Sequence, residues 1–564
     1  MKIISIILGI IYLFLITTDI KTTPDSFIIY SHISQKANFH IITKYQKSHL
    51  ICNNQPVMID ISKKHDYFYH GEEQITIPLH RGKNICQTQN IQPKIKQKIN
   101  FLDFLILFTL LGIPILYFLF SILIKALDKI KKLNFDTNQI LATPINKSII
   151  FIILVGLVIR IAYFDKYGIN LFQHDWQGHI DLIKYLAYNY HIPNMPNKGW
   201  ESPQQPIYYI ISAIIYKLGI FWGATTTQAI YIIGYFSLFC SLIFLIYSYK
   251  LLRVLSSNQW VHSVALLYIS LTPSIVYMSS RINNDVLVMA LAPMALFYII
   301  KSYQNSFQNY FYLALISTTL LFLTKISTAS IELALFGLLI ISYIQTHQNK
   351  KELLTFSIVG IFVLSWTLWH LYTPLSESFY MVNSAKFPKQ TIEHLNISYF
   401  TSFHIIDLIK QGYSHVFGVD SIRYSFPTYQ YGTMFFGEFD YKYFINKSEY
   451  LLIVMRSILM FGTIYIIGFS SYLLHLYREN IINKILLAIV IINGILILKF
   501  ILSYPSICNT DFRYFVSSFT IFGFIFAQGV YYLIQKNRWI YISFNIILGG
   551  LALSEVVFFY KLIY

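Results

Sequence analysis

The sequence predicts an all-α polytopic membrane protein of about 13 transmembrane helices, with a small β-rich domain near its N-terminus. Three observations carry this reading. First, of 564 residues 55% are hydrophobic and only 12% charged, with a mean hydropathy of +0.53; an ordinary soluble domain is about 25% charged. Second, apolar runs long enough to cross a bilayer as helices recur along the chain. Third, Lys and Arg cluster in every second connecting loop, the asymmetry that orients membrane helices. The composition excludes a soluble enzyme, a disordered chain and a fibrous repeat. The runs are continuous rather than alternating, which excludes a β-barrel. The net charge of +17 is spread over short clusters between spans, so no nucleic-acid partner is expected.

Residues 1–20 read as a membrane anchor. The run IISIILGIIYLFLITTD at 3–19 follows Lys2 and precedes no small-residue cleavage site, which favours an uncleaved anchor over a signal peptide. Residues 21–98 are polar and hold β-type runs, DSFIIYSH, NFHIITKY, QPVMIDI and EQITIPL, with Gly82 as a turn signal. They predict an extracytoplasmic β-rich domain. Cys52 and Cys86 both lie in it, compatible with one disulfide or with two free thiols; Cys240 lies in a span and Cys508 in a short loop.

Residues 99–147 supply a transmembrane helix and a cytoplasmic loop, and 148–564 a transmembrane core. Spans are expected at 101–124, 148–164, 226–249, 260–279, 286–303, 309–324, 331–346, 354–371, 451–474, 485–503, 514–534 and 540–561. Basic clusters at Lys125/Lys129/Lys131/Lys132, Lys250/Arg253, Lys301, Lys350/Lys351, Arg478/Lys484 and Lys536/Arg538 make their loops cytoplasmic, and outvote Lys94, Lys96 and Lys98 on the other side. The outer face then carries the long loops 165–225 and 372–450, and long loops in compact proteins are usually functional. Arg160 and Lys499 lie within spans, where snorkelling from a span end accounts for both.

The loop 165–225 is the richest in chemistry. Asp175 follows a span and is flanked by His174 and Trp176. GHIDLIKYLAYNY has helical apolar spacing and should lie on the membrane surface as an amphipathic helix. IPNMPNKGWESPQQP is a proline-rich turn, and IYYIISAIIYKLG is too short to span and should be interfacial or re-entrant. Asp285 stands at the outer start of a span behind Arg281, Asn283 and Asn284, on the same membrane face as Asp175. Two carboxylates at one lipid–water boundary are expensive unless solvated or used. Lys325, in LTKIS, ends a short span on that face, and Arg513, in DFRYFV, opens another; each is either a phosphate ligand or an interfacial anchor. Glu201 is an acceptor or metal contact, or a solvated loop residue. A divalent cation is left open by His174, His179 and His191, whose irregular spacing forms no metal signature. Glu438 and Asp440, among the aromatics of 372–450, are further candidates for acceptor contacts only.

Taken together, HDWQGHIDLIKYLAYNYHIP, GWESPQQPIYYIISAIIYKLG, SSRINNDVLVMAL, LTKIS and DFRYFV resemble a family. It is the GT-C class of polyprenyl-phosphate-sugar-dependent glycosyltransferases, nearest the bacterial relatives of protein O-mannosyltransferases (family 39) and of the lipid A aminoarabinose transferase. The resemblance covers about 148–535; Gln205 replaces the first of two prolines common in the family. It implies a sugar donor on a polyprenyl phosphate, a lipid, glycan or protein acceptor hydroxyl outside the cytoplasm, and inversion by single displacement. It matches Asp175 to the catalytic acidic residue, Asp285 to a second acidic position, and Lys325 and Arg513 to basic positions near the carrier phosphate. His174, Glu201 and Arg281 join them as candidate substrate contacts.

The residue chemistry fits independently. An attacking hydroxyl needs a base, which an ionised carboxylate supplies. The leaving phosphate gains charge, which Lys or Arg stabilises. A transporter or lipid-linked saccharide flippase would carry mid-bilayer charges and an internal repeat, and neither is evident. A polymerase or ligase would need an Arg-rich outer loop, whereas 372–450 contains only Arg423.

Overall fold

The computed structural model describes the strands between Thr18 and Lys98. From Lys147 to Ile563 it describes all residues except 171–175, 193–200, 202–203, 308–309, 372–395, 412, 414–424, 438, 440, 504, 506 and 536. The chain divides into two compact units, Met1–Lys132 and Leu133–Tyr564. The span expected at 101–124 lies outside the described residues, as do residues 3–17 of the expected anchor, His174, Asp175, Glu438 and Asp440; Thr18 and Asp19, expected at the anchor's end, begin a strand instead.

In the first unit, strands β1 (Thr18–Thr22), β2 (Ser26–Ser31), β4 (His49–Cys52), β5 (Gln55–Val57) and β7 (Gly82–Gln89) form one sheet in the order β1-β2-β7-β4-β5. Strands β3 (Gln35–Thr43), β6 (Glu72–Leu79) and β8 (Ile91–Lys98) form a second in the order β6-β3-β8. All the pairings are antiparallel. The β4–β7 register sets Cys52 directly opposite Cys86. Gly82 opens β7, where its backbone pairs with that of Ser31.

In the second unit the first helices are α1 (Lys147–Tyr167), α2 (Trp176–Asn189), α3 (Ile207–Phe221), α4 (Thr226–Leu255), α5 (Gln259–Leu271), α6 (Pro273–Met278), α7 (Asn284–Gln304) and α8 (Phe311–Phe322). They are followed by α9 (Ala329–Thr346), α10 (Lys350–Leu371), α11 (Ile397–Thr401), α12 (Ile405–Gln411), α13 (Phe426–Phe436) and α14 (Lys442–Lys447). The last four are α15 (Glu449–Leu474), α16 (Ile481–Ser503), α17 (Phe519–Ile534) and α18 (Arg538–Ile563). A 3-10 turn, Ile326–Thr328, leads into α9, and another, Phe512–Ser518, into α17.

Local chemistry sets several of these boundaries. Thr225 and Gln228 exchange side-chain and backbone bonds in a capping box that starts α4. The Asn258 side chain caps α5 by accepting from the Trp260 and Val261 amides. Pro273 forces Thr272 out of helical geometry, at ψ 121°, and takes the first position of α6 itself.

Among the described residues eight helices are long and apolar enough to cross a membrane: α1, α4, α7, Ile326–Thr346, α15, α16, Phe512–Ile534 and α18. They coincide with eight of the expected spans. Two others differ from expectation. The run 260–279 is interrupted at Thr272–Pro273 into α5 and α6, and the run 309–324 forms only the 12 residues of α8. The expected span at 354–371 lies within the 22 residues of α10. Outward positions are apolar, including Phe151 at 67%, Val158 at 62% and Ile546 at 68% exposure. A soluble surface would not tolerate such a belt; a lipid-facing one requires it. Lys499 is exposed on α16, whereas Arg160 is fully buried and hydrogen-bonded. Snorkelling therefore does not describe Arg160.

Backbone contact between α15 and α17 is closest at two glycines. A Cβ on Gly529 would stand 1.8 Å from the Gly468 carbonyl oxygen, and one on Gly468 2.7 Å from the Phe526 carbonyl oxygen. Small residues let membrane helices approach this closely. Gly529→Ala should cost about 1–3 kcal/mol of stability through overpacking, while Gly549→Ala, with open space at its Cβ, should be neutral or slightly stabilising. Thermal unfolding of the two variants in detergent measures the difference.

Candidate functional site

The candidate site forms where the starts of α3 and α7 meet the end of α8. The Asn284 side chain, in the first turn of α7, donates to Gln204 Oε1 at 3.0 Å and to the Thr324 carbonyl at 3.2 Å. The Ile207 amide, at the start of α3, donates to the Leu323 carbonyl at 3.2 Å. These bonds lash three segments far apart in sequence and bring Lys325 to Asp285. The Lys325 ammonium donates to Asp285 Oδ1, with both side chains largely buried. Asp285 is thus not a solvated carboxylate, and Lys325 does not snorkel. In the first turn of α7 the carboxylate also faces the positive end of the helix dipole.

Arg513 is positioned by Asp511. Asp511 caps the turn Phe512–Ser518 by accepting from the Arg513 amide at 3.1 Å, and its other oxygen lies 3.7 Å from Arg513 Nε. The turn is anchored to α13: the Phe512 amide donates to the Thr433 hydroxyl at 3.0 Å, and the Gln430 side chain to the Thr510 carbonyl. The Tyr514 ring lies 4.9 Å from the Lys325 ammonium and 5.4 Å from the Arg513 guanidinium. Both contacts are of cation–π type.

Arg281 follows α6 and is 3% exposed. Its guanidinium lies 4.6 Å from the Phe439 ring, and its carbonyl accepts from the Ser237 hydroxyl of α4. Gly437, at φ +62°, turns the chain so that the Phe439 ring fits; a Cβ there would meet that ring at 2.7 Å. Ser274, Met278, Arg281, Gly437, Asp511 and Arg513 are among the residues lining a small cleft. Two guanidinium groups and one carboxylate therefore line it.

The amphipathic helix expected at GHIDLIKYLAYNY is present as α2, burying His179, Ile180, Leu182, Ile183, Leu186 and Ala187. Its His179 ring is hydrogen-bonded to the Tyr209 hydroxyl at 2.8 Å and lies 3.8 Å from a Glu201 oxygen. Glu201 is 6% exposed, not solvated. Burial, outweighing the attraction of Asp285 and reinforced by Arg513, Lys325 and Arg281, pushes the His179 imidazole down to about 3. The ring is therefore neutral, and its approach to Glu201 is not an ion pair.

The structure thus brings together Arg281, Asp285 and Lys325, within one electrostatic field with Arg513 and His179, and sets Glu201 beside His179. Asp175 precedes the first residue of α2 in sequence but lies outside the described residues, with His174. His179 and His191 take separate partners: His191 turns to the Tyr185 hydroxyl at 3.4 Å and to the Ile192 carbonyl. Among the described residues no group of three or more His, Cys, Asp or Glu side chains could hold a metal ion. Asp511, Tyr514 and Phe439 escaped sequence reasoning, and Asn284 was seen there only as a neighbour of Asp285. Only Asp511 left a local signal there, an N-cap residue two positions before an arginine.

Residues 204–370 match the family dolichyl-phosphate-mannose-protein mannosyltransferase. The matched segment holds Arg281, Asp285 and Lys325, and the family is among those that the sequence motifs resemble. No curated protein matches the chain. Among solved structures, it is similar to the oligosaccharyltransferase of Archaeoglobus fulgidus in the apo form, at 14% identity and TM-score 0.39, covering 73% of this chain and 54% of that one. It is also similar to arabinosyltransferase EmbB from Mycobacterium smegmatis, at 10% identity and TM-score 0.46, covering 94% and 53%. The chain spans about half the length of these structures.

The state of His179 makes a prediction. A histidine that is neutral when folded but titrates near 6.5 when unfolded contributes stability in full above pH 6.5. That contribution is lost as pH falls from 6.5 toward about 3, because the unfolded chain binds the proton first. His179→Gln, which can still hydrogen-bond Tyr209, should remove up to about 1.4 kcal/mol per pH unit from the acid slope. Unfolding midpoints of the two proteins between pH 7 and pH 4 measure it.

Proposed function

We propose that the chain is a membrane glycosyltransferase. In this reading it moves a sugar from a polyprenyl-phosphate carrier to an acceptor hydroxyl on the extracytoplasmic face of the plasma membrane, which is the inner membrane where there are two. The reaction inverts the anomeric centre. The observation that carries this reading is the pair of guanidinium groups, Arg281 and Arg513, opening onto one cleft beside the buried Asp285–Lys325 pair. The family match over 204–370 supports it.

Chemically the steps are simple. The acceptor hydroxyl attacks the anomeric carbon, its proton passes to a carboxylate, and the bond to the carrier phosphate breaks. Asp175 is the proposed base, immediately before α2. Arg281, Lys325 and Arg513 offer charge-assisted donors to a phosphate as it gains charge. Asp285 accepts from the Lys325 ammonium and fixes its position. Glu201 and His174 are proposed acceptor-side contacts. The polyprenyl tail would lie along the apolar outer belt.

Asp175→Asn keeps shape and removes the base, and should lower turnover on the order of 10² to 10⁴-fold with folding unchanged. Arg513→Ala should act mainly on donor affinity, raising KM. Assay of purified variants with polyprenyl-phosphate sugar measures both. A folded Asp175→Asn enzyme with wild-type turnover would move the base to Asp285 or Glu201. Mass spectrometry of surface lipids and protein glycans, with and without the gene, identifies the acceptor.

The strand unit is proposed to be extracytoplasmic, with Cys52 and Cys86, opposite one another in the β4–β7 register, joined as a disulfide in an oxidising compartment. Peptide mapping without reductant should recover the two cysteine peptides linked. Two free thiols would remove the disulfide and leave the enzyme reading standing.

A further inference from the structure

A proline inside an apolar segment leaves a carbonyl without a partner. Pro273 has no N–H, so the Ile269 carbonyl, four residues back, cannot receive the bond that would continue α5. The next amides do not repair this, since Ile275 and Val276 both turn to the Thr272 carbonyl. In a bundle surrounded by lipid such carbonyls have no water to meet.

Arg160 of α1 stands at this break. One terminal nitrogen donates to the Ser270 carbonyl at 2.6 Å and to its own Gly156 carbonyl at 2.9 Å. The other donates to the Ile269 carbonyl at 3.4 Å, and Nε to the Ser241 hydroxyl of α4 at 2.8 Å. The side chain is 0% exposed. Its charge faces the C-terminal end of α5, where the helix dipole is negative. Gly156 makes room: a Cβ there would stand 2.8 Å from the Ser270 Cβ and 3.3 Å from the guanidinium.

Beyond the break lies the site. Ser274, Ile275 and Met278 of α6 line the cleft, and Arg281 follows three residues on. We propose that Arg160 is a positioning residue: its guanidinium takes over the carbonyls freed by Pro273, holds α5 and α6 apart as two helices, and so aims α6 and Arg281 into the cleft. The role does not depend on the transferase reading.

A double-mutant cycle on the full-length protein in detergent tests this. Ala at 273 restores the N–H that Ile269 lacks, so the guanidinium becomes dispensable there. Arg160→Met should lower the thermal midpoint on the order of 5 °C more in the Pro273 background than in the Pro273→Ala background. The cleft should respond differently. Thiol labelling at Ser274→Cys, read site by site by mass spectrometry, should change several-fold in the double variant although its midpoint is recovered. A merely structural role would make labelling follow the midpoint. Equal midpoint losses in both backgrounds would overturn the carbonyl clamp. Unchanged labelling in the double variant would overturn the positioning role. Should Arg160→Met fail to insert, Arg160→Gln, which keeps one amide donor, reads the same cycle with smaller shifts. Donor turnover is not needed for either readout, so failure here and failure of the proposed function remain distinguishable.

Discussion

The buried bond between Lys325 and Asp285 is the interaction on which the architecture around the cleft turns. Two charges taken out of water lose several kcal/mol of solvation each, repaid only by close geometry and further hydrogen bonds. The surroundings meet that condition. Asp285 sits at a helix N-terminus, and the ammonium lies against the Tyr514 ring. Asn284, next to Asp285, ties Gln204 and Thr324 together. The starts of α3 and α7 and the end of α8 are thus fixed by one short stretch of chain. A buried pair of this kind is weak support for stability as such, but breaking it from one side strands a charge at about 3–5 kcal/mol. It specifies one register of three segments rather than adding adhesive strength.

A second constraint comes from the apolar surroundings. Helices in lipid must satisfy their backbones internally, yet a site needs broken helices to present polar groups. The chain reconciles the two at three breaks near the site by giving each a dedicated partner. At Thr272–Pro273 that partner is a buried arginine. At the entrance to α17 it is Asp511 for the Arg513 amide and Thr433 for the Phe512 amide. At the start of α3 it is the Leu323 carbonyl. Elsewhere the helices pack by glycine, with Gly468 and Gly529 bringing α15 and α17 to backbone contact. Rigid packing in one place and capped breaks in another belong to the same solution.

This division explains what could be read from the sequence. Composition and hydropathy located the eight spans because lipid imposes one simple rule on each helix. Asp285, Lys325, Arg281 and Arg513 were visible because charge at a span end is costly enough to stand out. The short α5, α6 and α8 were not, since continuous hydropathy conceals a break whose capping partner lies far away in sequence. Arg160 and its carbonyls are over a hundred residues apart, and a lone arginine in a span reads equally well as a snorkelling side chain. His179 was visible only as one of three irregularly spaced histidines; its pairing with Tyr209 depends on how α2 meets α3.

The same geometry divides the work among the three cations. An ammonium has three donors, and Lys325 commits one to Asp285. It is thereby held at a fixed point. Arg281 and Arg513 have planar forks suited to two oxygens of one phosphate. The Arg281 fork donates to Met278 Sδ at 3.4 Å, and Arg513 Nε lies 3.7 Å from Asp511. Arg513 is fixed by a backbone cap, and Arg281 by its carbonyl bond to Ser237 and by the Phe439 ring. In the proposed reaction, side chains held from behind in this way would need little reordering when the phosphate arrives, which is what electrostatic preorganisation requires. Aromatic rings also stand against all three cations, Phe439 against Arg281 and Tyr514 against Lys325 and Arg513. They add contact without adding to the opposite charge that Asp285 and Asp511 already supply.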